Sequence, residues 1–117
     1  MRKVVTWGWL MFLLAAAAHP AAGQKNEGSQ LRTLTGHVFN SETQPLTKAI
    51  VYLKNTKTLL IKTYITDPDG TYRFPALSPS VDYEVYAEYE GTRSDTKTLS
   101  SFDTRKQVDI TLRIRSK

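Results

Sequence analysis

Side chains able to do acid–base or nucleophilic chemistry are sparse in this chain. It has no cysteine, which excludes thiolate catalysis, thiolate metal ligation, disulfides and attachment of lipid to a cysteine. Of its two histidines, His19 falls in an apolar N-terminal run, so His37 alone is left for the remainder. A hydrolytic centre needs a nucleophile, a base in reach of it and a group that orients the base. The serines have no evident partner. His37 alternates out of phase with Leu34 and Val38, as a partly exposed strand histidine does. An enzyme would require His37, Arg73 and a carboxylate to share a pocket, and without that the chain reads as non-catalytic, with no cofactor. Asp67-Pro68-Asp69-Gly70 begins like a calcium loop, with carboxylates two apart ahead of a glycine. The chain then returns directly to strand at Thr71-Tyr72-Arg73-Phe74, without the further oxygen ligands and closing glutamate of such a loop. Asp67 and Asp69 are therefore weak calcium candidates, and a turn in which they bond nearby N–H groups is preferred. The binding hint is aromatic: Tyr52, Tyr64 and Tyr86 each fall on the strand face opposite the expected core. On one sheet they could form a platform for a sugar or a protein; the alternative is ordinary cross-strand packing.

These residues must be positioned by strands. Thr66–Ala87 is the organising stretch: a turn at 67–70, then Tyr72 and Phe74 on one face, breakers at Pro75 and Pro79, and Tyr83, Val85, Ala87 and Tyr89 alternating with polar neighbours. The same period of two recurs over Leu31–Phe39, Ala49–Leu53, Leu59–Thr66, the weakly hydrophobic Thr96–Leu99 and Gln107–Ile114. Gly36, inside the first of these, marks a bulge or a close approach of backbones. Lys97 suits an edge strand, where a charge discourages pairing with a second molecule. No helical period of useful length occurs outside the N-terminus. About seven short strands at this spacing predict an all-β sandwich.

The N-terminus reads as an address. Met1-Arg2-Lys3 is basic, Val4–Ala18 is apolar, and Ala21-Ala22-Gly23 supplies small residues, so residues 1–23 read as a secretory signal peptide cut before Gln24, or after Ala18 as the alternative. Residues 24–30 are a flexible polar lead, and 31–117 the domain. An uncleaved signal is the one membrane attachment the pattern allows. Loss of Arg2 and Lys3 leaves 14 basic against 11 acidic side chains, scattered rather than clustered. Nucleic acid is therefore not expected as a partner.

Four segments carry a family resemblance: Gly36-x-Val38; Pro45-Leu46-x-x-Ala49-x-Val51-x-Leu53; Thr66-Asp67-x-Asp69-Gly70-x-Tyr72-x-Phe74-x-x-Leu77; and Tyr83-x-Val85-x-Ala87. Together they resemble the carboxypeptidase regulatory-like domain, and the resemblance implies a prealbumin-like (transthyretin-like) Greek-key sandwich of seven strands. One departure is the loop Leu77-Ser78-Pro79-Ser80-Val81-Asp82-Tyr83, longer than the family's and without its glycine. The resemblance implies an accessory, non-catalytic module, found beside peptidase domains, in front of outer-membrane receptors and alone in small exported bacterial proteins. The hydroxyisourate hydrolases of like fold carry several histidines and end in Tyr-Arg-Gly-Ser, whereas this chain has His37 and ends Ile114-Arg115-Ser116-Lys117. A Lys–Asn isopeptide of the collagen-adhesin repeats would need a lysine in the first strand, which has none, and an inward glutamate, whereas Glu88 is out of phase. The expected function is an exported, periplasmic or extracellular, binding or structural module in the cell envelope. Its partner is an envelope protein, met along a sheet edge or the tyrosine face, or alternatively a glycan on the tyrosines.

Overall fold

Period-two alternation becomes two packed sheets in a computed structural model, which describes residues 30–115. The signal segment, residues 24–29 of the lead, Ser116 and Lys117 lie outside the described residues. The strands are β1 (Arg32–Asn40), β2 (Ile50–Asn55), β3 (Ile61–Ile65), β4 (Thr71–Leu77), β5 (Tyr83–Tyr89), β6 (Thr92–Arg93), β7 (Lys97–Leu99), β8 (Gln107–Asp109) and β9 (Leu112–Ile114). No helix occurs among the described residues. In the first sheet β1 is central, antiparallel to β4 on one side and parallel to β8 and β9 on the other. In the second the order is β3-β2-β5, and β6 and β7 share the far side of β5.

The expected seven strands are recovered once two of them are seen to be broken. β8 and β9 keep one register along β1, Thr33↔Gln107 and Val38↔Leu112, but the ladder opens at Ile110–Thr111. The opening is made by Gly36 and Tyr72. A Cβ on Gly36 would lie 1.9 Å from the Ile110 carbonyl oxygen, and the Tyr72 hydroxyl donates to that same oxygen at 2.6 Å. The unbroken strand expected over Gln107–Ile114 is corrected accordingly, and the close approach expected at Gly36 is found. β6 and β7 are separated by Ser94, whose Oγ accepts the Ala87 N–H at 2.9 Å while its own N–H donates to the Ala87 carbonyl. Thr92–Arg93 and Lys97–Leu99 are thus two pieces of one edge strand beside β5. Pro75, expected to end its strand, lies inside β4, because an edge strand can spare an N–H on its open side. The register with β1 slips there, Arg32↔Leu77 but Leu34↔Phe74, and Ala76 takes the extra place at φ 61°.

The core lies between the sheets and follows the sequence phase: Leu34 and Val38 from β1, Val51 and Leu53 from β2, Tyr72 and Phe74 from β4, Val85 and Ala87 from β5, Leu112 and Ile114 from β9. At the turn ahead of β4, Gly70 stands at φ 73° with Val38 O, Pro45 Cβ and Leu46 N about where a side chain would begin, so glycine is required on both counts. Thr66, buried, ties the segment before β2 to the sheet: its Oγ1 donates to Leu46 O at 2.6 Å and accepts Ala49 N–H at 2.9 Å.

Candidate functional site

β2 and β5 pair in the register Tyr52↔Tyr86, which sets the two rings side by side on the outer face of the five-stranded sheet. Their centroids are 4.9 Å apart and their planes 19° from parallel. The Arg93 guanidinium lies over Tyr86, 3.9 Å from the ring centroid. The Tyr52 hydroxyl donates to Glu88 Oε1 at 3.1 Å, which raises its pKa above the ordinary tyrosine value. Glu88 thus faces outward, as its phase in the sequence requires. The cluster runs Glu88–Tyr52–Tyr86–Arg93 across β2, β5 and β6, and Tyr86 has Tyr52 on one side of its ring and a cation on the other.

Tyr64 does not join it. It pairs with Val51, a buried residue, so it lies on the core-side face of β3, and its ring meets Phe74 edge-on at 6.0 Å. The shared face expected for Tyr52, Tyr64 and Tyr86 therefore holds for two of the three. The reason is that both faces of this strand carry apolar side chains, so alternation alone could not choose the inner one.

The strand that carries Tyr64 is the more unusual feature. β3 pairs only with β2, and all five of its residues are exposed. With the preceding turn it shows Leu59 at 63%, Leu60 at 69%, Ile61 at 52% and Ile65 at 63% of their full surface, and Ile50 of β2 lies beside Ile65. The turn is held by Asn55, whose Oδ1 accepts the N–H groups of Lys57 and Thr58, with Leu59 at φ 67°. The first sheet reaches this strand through Phe74 against Tyr64, and the apolar side chains on either side of that contact stay exposed.

On the outer face of the other sheet, His37, Arg73, Asp67 and Asp109 line one open groove with Thr35, Thr71 and Tyr64. The pairings Thr35↔Arg73, Thr35↔Asp109 and His37↔Thr71 bring them together. The two carboxylates already have local partners. Asp67 Oδ1 accepts the N–H groups of Asp69 and Thr71 at 3.0 Å, and its Oδ2 accepts the Thr71 hydroxyl, which together hold its pKa below the usual carboxylate range. Asp109 Oδ2 accepts the Thr35 hydroxyl at 3.4 Å. The His37 ring lies parallel to Phe39 with centroids 5.4 Å apart. No three His, Cys, Asp or Glu side chains are grouped to hold a metal ion among the described residues. The Asp67 carboxylate thus bonds the N–H groups of its own turn, and Asp69 joins that turn through its N–H.

Sequence reasoning missed Arg32. It is 1% exposed, and its guanidinium fans four bonds to carbonyls on two loops: Nη1 to Ser100 O (2.7 Å) and Asp103 O (3.2 Å), Nη2 to Ser78 O (3.0 Å) and Val81 O (2.8 Å). The signal was available, since Arg32 is in phase with Leu34, Gly36 and Val38. Its role is structural: it fixes the long 78–82 loop, in which Tyr83 Oη also accepts the Ser78 N–H.

The sequence matches the carboxypeptidase regulatory-like domain over residues 33–113. The chain belongs to the carboxypeptidase regulatory-like domain family. Solved structures of like fold include the major pilin subunit BcpA of Bacillus cereus, at TM-score 0.59 and 13% identity over 75% of this chain and 31% of that one. The full-length major pilin SpaD of Corynebacterium diphtheriae stands at TM-score 0.58 and 15% identity, over 76% and 31%. Catechol 1,2-dioxygenase from Pseudomonas arvilla C-1 stands at TM-score 0.58 and 16% identity, over 74% and 52%. The chain therefore spans about half of the dioxygenase and about a third of each pilin. At such identities the likeness is one of fold. Comparison with curated proteins finds no match. The carboxypeptidase regulatory-like domain here is a β-sandwich module, as the family resemblance implies.

Proposed function

We propose that this domain is a non-catalytic module that acts outside the cytoplasm and binds protein along the open edge of its five-stranded sheet. The observation that carries the reading is the exposure of Leu59, Leu60, Ile61 and Ile65 on and beside an edge strand that is paired on one side alone. Unpaired N–H and C=O groups in a row, flanked by apolar side chains, are what a strand of another chain completes. Export rests on the signal pattern of residues 1–23, and it accords with the fold's use in two major pilin subunits.

The glycan alternative needs open aromatic faces, and the Tyr52–Tyr86–Arg93 stack already occupies both faces of Tyr86 and one of Tyr52. Catalysis in the groove has the shared pocket of His37, Arg73, Asp67 and Asp109 in its favour. It lacks a nucleophile on its base, because the Thr71 hydroxyl donates straight to Asp67 with no imidazole between them.

The test is capture from cell-envelope extract by the immobilised protein, run beside Ile65→Lys and the double variant Tyr52→Ala, Tyr86→Ala. Capture of one protein that Ile65→Lys abolishes and the tyrosine pair leaves intact is the expected result. Retention of an insoluble polysaccharide that only the tyrosine variant loses would overturn it in favour of the glycan.

A further inference from the structure

The four sheet edges differ in how they are defended. β4 carries Pro75 and the Ala76 bulge. The β8–β9 edge is interrupted at Ile110–Thr111. The β6–β7 edge is interrupted at Ser94 and carries Lys97. Proline, bulges, breaks and lysine are the usual means of blunting an edge. β3 alone keeps one register with its neighbour from Ile61 to Ile65, contains no proline, and is apolar at both ends.

Its hydrogen-bonding phase can be read from the bonds to the neighbouring chain. Asn55 N–H donates to Leu60 O, and Thr66 N–H donates to Ala49 O, both at 2.9 Å. Leu60, Lys62, Tyr64 and Thr66 therefore turn their backbone groups towards β2. By alternation Ile61, Thr63 and Ile65 turn theirs to the open side. An antiparallel strand centred on Thr63 would meet all three.

We propose that the occupant of this edge is a second copy of the same chain, joined about a two-fold axis through Thr63. This rests on the reading of the domain as a protein-binding module. In that register Thr63 faces Thr63 of the second copy, Ile61 faces Ile65, and Lys62 faces Tyr64. Three hydrogen-bonded pairs form, giving about six N–H···O=C bonds. Each copy lays an isoleucine against an isoleucine, and no two like charges meet. The adjacent registers are worse: centring on Lys62 sets lysine against lysine, and centring on Tyr64 loses the Ile61–Ile65 pairs. The five-residue strand is its own complement, which a two-fold interface demands. The contact is short, well below the ~800 Å² per partner of a standard interface, so the dimer forms at high local concentration, as on a crowded surface, and dissociates on dilution.

Sedimentation equilibrium of the purified protein over a wide concentration range tests this, with Thr63→Lys and Thr63→Glu as variants. Position 63 is exposed and its N–H points outward, so neither change touches the core or the β2 ladder. Wild type should show a concentration-dependent monomer–dimer equilibrium. Each variant alone sets like charges directly opposite, about 5 Å apart, and should weaken the dimer at least tenfold. An equimolar mixture of the two should restore it. A dimer that persists in both variants, or a mixture that stays monomeric, overturns the proposal. So does wild type that is monomeric throughout; if Thr63→Lys then still abolishes capture of an envelope protein, the edge serves another chain and the binding reading stands. If capture also survives, both readings fall.

Discussion

Replacing Arg32 tests how the ends of the sandwich are held. In Arg32→Met the aliphatic stem is kept in volume, and the guanidinium with its four carbonyl partners is lost. Three of those acceptors, on Ser78, Ser100 and Asp103, are partly exposed and can turn to water, but the bond to Val81 O is buried. An orphaned buried acceptor costs about 1–3 kcal/mol, and each lost bond to a charged donor about 1.5 kcal/mol before water returns. Against this stands the relief of desolvating a charge that makes no ion pair among the described residues, although it acts on Asp82 and Asp103 at longer range, and whose Nε has no partner among them. The balance is a destabilisation of about 2–4 kcal/mol, read as a fall of the urea midpoint by roughly 1–3 M at the slope usual for a small domain. Arg32→Lys, with three donors and no planar fork, should fall between. Amide exchange should quicken first in residues 78–82 and 100–103, the two loops it joins. An unfolding free energy for Arg32→Met within about 0.5 kcal/mol of wild type would refute the reasoning, because it would mean that desolvation cancels the four bonds.

Gly36→Ala should be worse, costing roughly 3 kcal/mol or more or preventing folding, since the new methyl meets a backbone oxygen rather than a side chain that can move; circular dichroism and thermal melting would show it. Acid should destabilise the domain through three aspartates whose pKa values are held below the usual 3.9: Asp67 by the Thr71 hydroxyl, Asp82 by the Ser101 N–H, and Asp103, at about 2, by Arg105. A depressed folded pKa means that the unfolded chain takes up protons first, so this stability is full above about pH 4–5 and lost as pH falls towards 2. Urea midpoints measured across that window should decline, and Asp103→Asn should flatten the decline.

Where the amino-acid order repeats every two residues, the inward set was legible: Leu34 and Val38, Val51 and Leu53, Tyr72 and Phe74, Val85 and Ala87 all face the core as their phase requires. That period is a property of extended backbone and needs no knowledge of neighbours. The turn at Asp67–Gly70 and the closeness of backbones at Gly36 were legible for the same reason, since both follow from local conformation and the lack of a Cβ. What sits opposite each residue is a different matter. The break at Ile110 depends on a tyrosine 38 residues away, and the inward turn of Arg32 depends on carbonyls 46 to 71 residues away. For Leu59–Thr66, apolar on both faces, alternation left two arrangements, and only the pairing of Tyr64 with Val51 chose between them. By itself the sequence determined most of the strands, the inner face wherever one face alone is apolar, and the family. The tertiary structure alone decided which edge stays open, because an edge is defined by the strands that do not come to lie beside it.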